Sequence, residues 1–204
     1  FYLDKIKLQV DYLLNNPSCV LCGHKLDLIN GKSDIIGVLK TPKFNSIGNV
    51  SWVERGMIFG ALSIMFNVNL IDRDKFMYDK RIKYASDWKF IIDILDNNNR
   101  YGFIDKALGA YRKHENNITL KNQLDCNRDW LSSIKVLVNE NKITNDQSIK
   151  AQALFFYYPS FKYYLKQNNY NKAIKEYLSF AKVYPCSLRS LYGIVLFLKQ
   201  LIIK

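Results

Sequence analysis

The apolar pattern of the chain changes near residue 120, and this change restricts the folds that the chain can adopt. Before that point, short strand-length apolar segments alternate with longer segments of helical periodicity. Beyond it, the apolar segments repeat at helical spacing only. Alternating strands and helices are typical of an α/β sheet, whereas successive helices pack against one another. We therefore predict an α/β part over 1–120 and an all-α part over 121–204.

The first part is expected to hold two helices with short strands between and after them. The first helix begins near Asp4, places one apolar face toward the core and ends at 15–17. The residues of that face are Ile6, Val10, Leu13 and Leu14. The second helix begins at or near Asp87 and ends at 97–99. Its apolar face consists of Phe90, Ile91, Ile94 and Leu95.

Strand candidates follow each of these helices. They lie at 20–21, 26–30, 101–104 and 107–111. The apolar segment 57–66 fits either a buried strand or a short passage from helix to strand. The pair Cys19 and Cys22 forms a CxxC, but it lacks a second ligand pair, so we interpret it as part of a buried strand with reduced thiols rather than as a zinc site.

The second part is predicted to be helical throughout. A helix over 147–158 is expected to end at Pro159, and 169–185 resembles the second half of a tetratricopeptide unit. Stacked repeats need about three units to bury a continuous face, so an ordinary helical hairpin is the favoured interpretation.

Positive charge is concentrated toward the end of the chain. The net charge is +12, and residues 160–204 contain eight Lys and Arg but one acidic residue, Glu176. A basic segment with interleaved apolar residues suits the surface of an anionic membrane. Charge alone would also suit nucleic acid, but no motif for nucleic-acid binding is present, so no nucleic-acid readout is expected. A basic face that is solvated and binds no partner is the remaining alternative.

No segment predicts secretion or membrane insertion. The first residues carry charges and no signal-peptide pattern, and the longest apolar stretch near the end is shorter than the ~20 residues that a spanning helix needs. We expect a cytoplasmic protein, peripheral on the inner face of the plasma membrane if 160–204 binds lipid.

Few residues are candidates for chemistry. Asp87 stands beside Trp88 at a predicted helix start, and Arg112 and His114 follow a predicted strand. Each has an ordinary structural alternative: Asp87 as a helix cap, Arg112 as a strand-end surface residue and His114 as a solvated loop residue. On spacing alone, these alternatives are favoured.

Several segments, taken in order, resemble the second half of a family two glycosyltransferase of the GT-A fold. They are SIMF over 63–66, YASDWKFIIDIL over 84–95 and YGFIDKALGAYRKHENNIT over 101–119. In addition, DKIKLQVDYLLNNP over 4–17 is similar to the helix that follows the metal-binding DxD motif of those enzymes. The resemblance covers 1 to about 120 and implies the acceptor-side half of a Rossmann-like GT-A domain, followed by an all-α extension.

The resemblance implies an inverting, metal-dependent glycosyl transfer. Asp87 would be the general base that takes the proton of the acceptor hydroxyl. His114 would lie near a divalent metal, Mn or Mg, and the diphosphate of a nucleotide-sugar donor, most simply a UDP-sugar, while Arg112 would add a cationic contact. The acceptor would be a glycan or a lipid-linked glycan in the synthesis of a cell-surface polysaccharide or glycolipid.

Further residues are candidates for donor or acceptor contacts. Gly60, or Gly56, would let the backbone approach a ligand, although a glycine needed for close packing is the alternative. Trp88 and Trp52 would offer an aromatic face to a sugar, although both also suit the core.

The sequence departs from the family pattern at two places. Ser86 stands where a Glu often precedes the catalytic aspartate. The letters Asp72-Arg-Asp74 occur downstream of the place where the DxD belongs, so we interpret them as a loop and expect the functional DxD upstream of Phe1. The chain is then expected to lack the nucleotide-binding half and to be inactive alone. A non-catalytic, tetratricopeptide-like interaction module is the alternative.

Overall fold

A long central strand organises the first part of the protein. The computed structural model describes residues 1–41, 50–95 and 100–202. The strands are β1 (Cys19–Ile29), β2 (Ile35–Val38), β3 (Met65–Phe66) and β4 (Arg100–Arg112). The helices of this part are α1 (Lys5–Asn15), α2 (Val50–Arg55), α3 (Ser86–Ile94) and α4 (Ile118–Lys121). The predicted end of the second helix at 97–99 lies outside the described residues.

Contacts divide the chain into two units. The first unit contains residues 1–81 and 86–121, and the second contains 82–85 and 122–204. The main division falls between Lys121 and Asn122. The short segment 82–85 belongs with the helical residues, although the chain around it belongs to the first unit.

In the first unit, β1 pairs with all three other strands. It runs parallel to β4 along its whole length, and antiparallel to β3 near Cys22 and to β2 near Leu28. The sequence predicted two short strands in the region of β1 and two in the region of β4. Both predictions are wrong, because a single 11-residue strand forms in the first region and a single 13-residue strand in the second. The polar residues that break the apolar pattern, His24 and Lys25, take part in the parallel ladder.

Helix α1 covers one face of the sheet with polar as well as apolar side chains. The expected apolar face is wrong: Ile6 and Leu14 are 58% and 73% exposed, whereas Lys5 and Gln9 are buried beside Leu13. Gln9 is buried because its amide donates to the carbonyl oxygen of Ser63 at 2.9 Å and accepts from Lys5 Nζ at 2.7 Å. Hydrogen bonds therefore outweigh apolar periodicity in orienting this helix.

The two cysteines of the CxxC lie in β1, as predicted. Cys19 and Cys22 are buried and pack with Leu13 of α1. Burial raises the pKa of the Cys22 thiol to about 11. A thiol of this kind is protonated at neutral pH and behaves as a small apolar residue.

An aromatic core covers the opposite side of β1 and β4. Trp52, Phe59 and Tyr101 meet edge to face, with ring centroids 5.4–6.0 Å apart. Gly23 admits this core, since a Cβ there would lie 2.4 Å from the Phe59 ring. Of the two alternatives predicted for the segment 57–66, the structure shows the passage from helix to strand and not one buried strand. A 3-10 turn over Ala61–Ser63 comes before β3.

The second unit is helical apart from 82–85 and the connecting turns. Its helices are α5 (Gln123–Asn139), α6 (Asn145–Gln152), α7 (Tyr158–Lys166), α8 (Tyr170–Val183) and α9 (Leu188–Ile202). The prediction that Pro159 ends a helix is wrong. A π-helical turn over Ala153–Tyr157 joins α6 to α7, and Pro159 lies in the first turn of α7, where its missing N–H is tolerated.

Helices α7 and α8 form the hairpin that the sequence predicts. Asn169 caps α8 by accepting from the backbone N–H of Lys172, and the fully buried Ala173 packs with Phe161 and Leu165 of α7. Among the helices that the structure describes, none is both long and apolar enough to cross a membrane.

Candidate functional site

Asp87 lies in the first turn of α3, a helix fixed in place by its apolar side. The predicted residues Phe90, Ile91 and Ile94 are all buried. Asp87 itself is half-buried, and its Oδ1 accepts a hydrogen bond from the backbone N–H of Trp88 at 2.8 Å. Because the helix begins at Ser86, Asp87 is inside the first turn rather than at the N-cap position.

The surroundings of Asp87 favour its protonated form. Burial raises the pKa of this carboxyl, and the backbone N–H groups of Trp88 and of Asp87 itself oppose the shift without cancelling it. Among the described residues, no cationic side chain forms an ion pair with Asp87. A carboxylate that is buried without a cation is a better proton acceptor than a solvated one, which is the property that a general base needs.

Trp88 and Trp52 are core residues. Both are fully buried, and Trp88 Nε1 donates to the backbone carbonyl oxygen of Trp52 at 2.7 Å. The interpretation of Trp88 as a surface for a sugar is therefore wrong, because its ring faces are enclosed. Its role in this structure is to join α3 to α2.

A buried lysine holds the other side of α3, and the sequence interpretation missed it. Lys89 is 3% exposed, and its Nζ lies 2.7 Å from Asp93 and 3.5 Å from Asp79. Asp79 also accepts from the Arg81 guanidinium at 2.6 Å, and this contact holds the pKa of Asp79 far below its usual range. The i,i+4 spacing of Lys89 and Asp93 was the available signal.

The segment immediately before Ser86 is also held by a side chain that the sequence interpretation missed. Asp129 of α5 accepts hydrogen bonds from the backbone N–H groups of Lys83, Tyr84 and Ala85, at 3.1, 2.6 and 2.9 Å. All four residues belong to the second unit. Ser86, the first residue of α3, is half-buried.

Arg112 and His114 lie at and beyond the end of β4. The Arg112 guanidinium donates to the carbonyl oxygens of Asn30 and Gly31 at 2.8 and 3.1 Å and to Ser33 Oγ at 3.0 Å, so it fixes the β1–β2 turn. His114 is exposed, and its backbone N–H donates to Asn117 Oδ1 at 2.7 Å.

These predicted site residues are not brought together by direct contact. Within 1–41, 50–95 and 100–202, no hydrogen bond or ion pair joins Asp87 to Arg112 or His114. Their roles toward a donor therefore stay predictions.

Gly60 has a packing reason to be glycine. A Cβ at this position would lie 2.6 Å from Leu26 Cδ1, and the Gly60 backbone is in the extended region that any residue adopts. Gly56 has φ of +74° and ends α2, with its N–H donating to the Trp52 carbonyl oxygen. Close packing therefore accounts for the glycine at Gly60, and the positive φ at the end of α2 accounts for the glycine at Gly56.

A metal site would need several ligand side chains close together in the described part of the chain. This part contains no cluster of three or more His, Cys, Asp or Glu side chains that could hold a metal ion. His114 is exposed and belongs to no such cluster, so the described residues do not by themselves fit a metal site. Asp72 and Asp74 belong to a 3-10 turn, in which Asp72 accepts from the Asp74 backbone N–H, as expected for a loop.

Comparison with known proteins supports the fold. No protein-family model matches the chain, and no curated protein matches it either. Among solved structures, the chain is similar to residues 1–349 of S. aureus TarS in complex with UDP-GlcNAc, with a TM-score of 0.53 and 13% identity. The match covers 97% of this chain and 61% of that one, so the chain spans less than two thirds of the matched structure. At this identity, the similarity shows a glycosyltransferase-like α/β fold with its helical extension.

Proposed function

We propose that this chain is the acceptor-side part of an inverting glycosyltransferase that uses Asp87 as its general base. The observation that carries the proposal is the half-buried Asp87 carboxylate, unpaired with any cation among the described residues, at the start of α3 in a fold similar to that of a glycosyltransferase. Carboxylates with a pKa perturbed by burial are characteristic of catalytic positions.

The proposed reaction uses Asp87 to activate the acceptor. As the acceptor oxygen forms its bond to the anomeric carbon, its proton passes to an Asp87 carboxylate oxygen. The bond from the anomeric carbon to the diphosphate oxygen breaks on the opposite face, and its electron pair leaves with the nucleoside diphosphate. A UDP-sugar is the proposed donor, because the similar TarS structure binds UDP-GlcNAc. The proposed acceptor is a glycan or lipid-linked glycan in cell-surface polysaccharide synthesis.

We further propose that an upstream nucleotide-binding half packs against α1 in the encoded protein. Ile6, Val10 and Leu14 are 58%, 41% and 73% exposed, so one side of this helix presents apolar surface. A second domain would bury such a surface. In this proposal a DxD upstream of Phe1 supplies ligands for Mn or Mg, with His114 near them, and no step depends on a metal held by this chain alone.

The enzyme proposal is tested on the encoded protein with its upstream residues. UDP release is measured with UDP-GlcNAc, UDP-glucose and UDP-galactose and a lipid and glycan extract of the source cells as acceptor. Asp87→Asn is expected to lower kcat at least ~10³-fold, since the amide cannot accept the proton. Asp74→Asn is the matched control, because Asp74 is an exposed aspartate whose side chain makes no catalytic contact in this proposal, and it is expected to retain activity.

Two results would contradict the enzyme proposal. Transfer retained by Asp87→Asn would remove Asp87 from the role of base. An encoded protein without a DxD and a strand-rich half before Phe1 would favour the helical interaction module instead.

For the second unit, we propose contact of α9 with an anionic membrane, as on the inner face of the plasma membrane. Helix α9 carries large apolar side chains that are exposed; they are Leu188, Leu191, Tyr192, Ile194, Val195 and Leu198. Arg189 and Lys199 lie beside them, and residues 160–204 carry a net charge of +7. An apolar face flanked by cations matches the boundary between acyl chains and anionic headgroups.

Vesicle binding tests the membrane proposal directly on this chain. Co-sedimentation is expected with phosphatidylglycerol-containing vesicles but not with pure phosphatidylcholine vesicles, and to weaken as salt is added. Leu191→Glu, at a residue 56% exposed on α9, is expected to reduce binding, whereas Ile149→Glu, at a residue 52% exposed on α6, is not. Equal binding by both variants, or concentration-dependent dimerisation that Leu191→Glu abolishes, would contradict the proposal.

A further inference from the structure

Helices α7, α8 and α9 enclose a small apolar cavity. Its volume is about 110 Å³. Its lining includes Phe161 of α7, Ile174 and Tyr177 of α8, and Ile194, Phe197 and Leu198 of α9. All of these residues belong to the second unit, and none of the candidate residues for glycosyl transfer is among them. The cavity is therefore a site of its own.

Contacts between the helices fix the walls of the cavity. Tyr177 Oη donates a hydrogen bond to the Ser190 carbonyl oxygen at 3.0 Å, which holds the tyrosine ring against α9. The Phe161 ring is 1% exposed, and its centroid lies 5.3 Å from that of the Tyr177 ring. Gly193 also lines the cavity and permits this close packing, since a Cβ there would lie 2.7 Å from Tyr177 Cε2. The cavity is therefore bounded by side chains that other contacts hold in place.

The cavity opens to the surface through apolar residues. Ile174, Ile194 and Leu198 are 41%, 46% and 52% exposed, so a ligand can enter between α8 and α9. Because the Tyr177 hydroxyl is bonded to Ser190, the lining offers apolar surface to an incoming group. An engineered cavity of about 150 Å³ with a similar Leu, Ile and Phe lining stays dry and binds benzene. The smaller cavity of this protein suits a short alkyl segment.

The charge around the opening distinguishes between apolar occupants. Helices α8 and α9 contain five Lys and Arg residues but one acidic residue, Glu176. The exposed residues Lys175 and Lys199 directly follow the cavity residues Ile174 and Leu198. A second copy of this chain would bring the same cations to the opening, and like charges placed across an interface oppose association. An anionic headgroup is attracted instead, and the flexible lysine side chains can extend to it.

We infer that the cavity binds the end of one acyl chain of an anionic membrane phospholipid. The inference deepens the membrane contact proposed for α9 and rests on it, because that contact brings lipid to Ile194 and Leu198. The alkyl end enters the cavity, and the headgroup phosphate stays at the surface near Lys175 and Lys199. Inside the cavity, the chain gains van der Waals contacts with the lining residues. The binding is non-covalent and requires both an alkyl chain and a negatively charged head.

A soluble lipid tests the cavity without a membrane. Dioctanoyl phosphatidylglycerol is added to the chain below its micelle-forming concentration, and the NMR signals of the Ile174 and Leu198 methyl groups are followed. We expect saturable shifts with this lipid and none with glycerophosphoglycerol, which has the headgroup without the chains. Dioctanoyl phosphatidylcholine, whose head has no net charge, is expected to bind about 5-fold more weakly. Unshifted signals, equal shifts with the chain-free headgroup or equal affinity for the two lipids would overturn the inference.

Substitutions that fill the cavity locate the lipid. Ile194→Trp is expected to weaken the binding of dioctanoyl phosphatidylglycerol at least ~10-fold, since the larger side chain takes the place of buried methylene groups. Ile149→Trp is the matched control, because Ile149 is an isoleucine 52% exposed on α6 and does not line the cavity, and it is expected to keep the native affinity. If circular dichroism shows that Ile194→Trp does not fold, Ile174→Phe fills the cavity from α8 and is expected to weaken binding as well. Native affinity in whichever variant folds would overturn the inference.

Vesicle binding by the native chain separates this inference from the membrane contact on which it rests. If the chain co-sediments with phosphatidylglycerol vesicles but the soluble lipid does not shift the cavity signals, the cavity inference fails and the membrane contact of α9 stands. If the chain does not co-sediment, the proposed membrane contact fails, and with it a membrane lipid as the source of the acyl chain, whatever the NMR result.

Discussion

Two aspartates close to the start of α3 occupy opposite electrostatic environments. Asp79 contacts the Arg81 guanidinium and the Lys89 ammonium, and its pKa is held far below the usual range. Asp87 has no cationic partner among the described residues, and burial raises its pKa. Both side chains are largely withdrawn from solvent, so burial alone does not distinguish them.

The difference separates a structural carboxylate from a candidate catalytic one. The charge of Asp79 is compensated, so its ionisation stabilises the fold. The charge of Asp87 is stabilised only by backbone N–H groups, so its ionisation opposes folding. Functional sites often retain such uncompensated groups at a cost in stability. Three substitutions test this contrast, in decreasing order of expected effect.

Removal of the buried ammonium should have the largest effect. Lys89→Met keeps the length of the side chain but leaves Asp93 and Asp79 without their buried cation. We expect a loss of about 3 kcal/mol in the free energy of unfolding, since breaking a buried pair leaves an uncompensated charge. Urea denaturation followed by circular dichroism measures it. Lys80→Met, at an exposed lysine, is the control; equal stability of the two variants would contradict the structural role of Lys89.

Sequence patterns predicted α3 but not what surrounds it. The apolar residues Phe90, Ile91 and Ile94 belong to one helix, and their spacing is visible within five consecutive residues of the sequence. The contacts between Asp129 and 83–85 join residues 44–46 positions apart. No local periodicity encodes such a contact, and an aspartate on a predicted helix is ordinarily taken to be solvated.

A similar limit explains the wrong face of α1. Its apolar residues repeat at helical spacing, and the pattern therefore points Ile6 and Leu14 inward. The structure turns the helix by placing Lys5 and Gln9 toward β1, where Gln9 finds hydrogen-bond partners on Cys22 and Ser63. Only the tertiary positions of those partners make the burial of a glutamine favourable.

Removal of the compensated carboxylate should have an intermediate, pH-dependent effect. The pKa of the Asp79 carboxyl is lower in the folded protein than its unfolded value near 3.8. The ionised carboxylate therefore stabilises the folded protein fully above the unfolded pKa, and this stabilisation is lost as the pH falls toward the folded pKa. We expect Asp79→Asn to reduce the free energy of unfolding by about 1–2 kcal/mol at pH 7, from lost charge-assisted hydrogen bonds. The difference from the native protein should shrink below pH 4. A difference that is constant between pH 3 and 7 would contradict this.

Removal of the Asp87 carboxylate, which has no cationic partner among the described residues, should change the free energy of unfolding least. It should raise this free energy, whereas the other two substitutions lower it. The pKa of the Asp87 carboxyl is higher in the folded protein than its usual value of 3.8. The protonated carboxyl therefore stabilises the folded protein below pH 3.8, and this stabilisation is lost as the pH rises through the folded pKa. Above it, the native protein contains a buried charge that Asp87→Asn lacks. We therefore expect Asp87→Asn to unfold at a higher urea concentration at pH 7, by about 0.5–1 kcal/mol in free energy. Below pH 4 the native carboxyl is protonated, so the two proteins should converge. A neutral-pH loss of stability in Asp87→Asn would instead place Asp87 with Asp79, as a carboxylate that the fold needs, and would remove the electrostatic argument for its catalytic role.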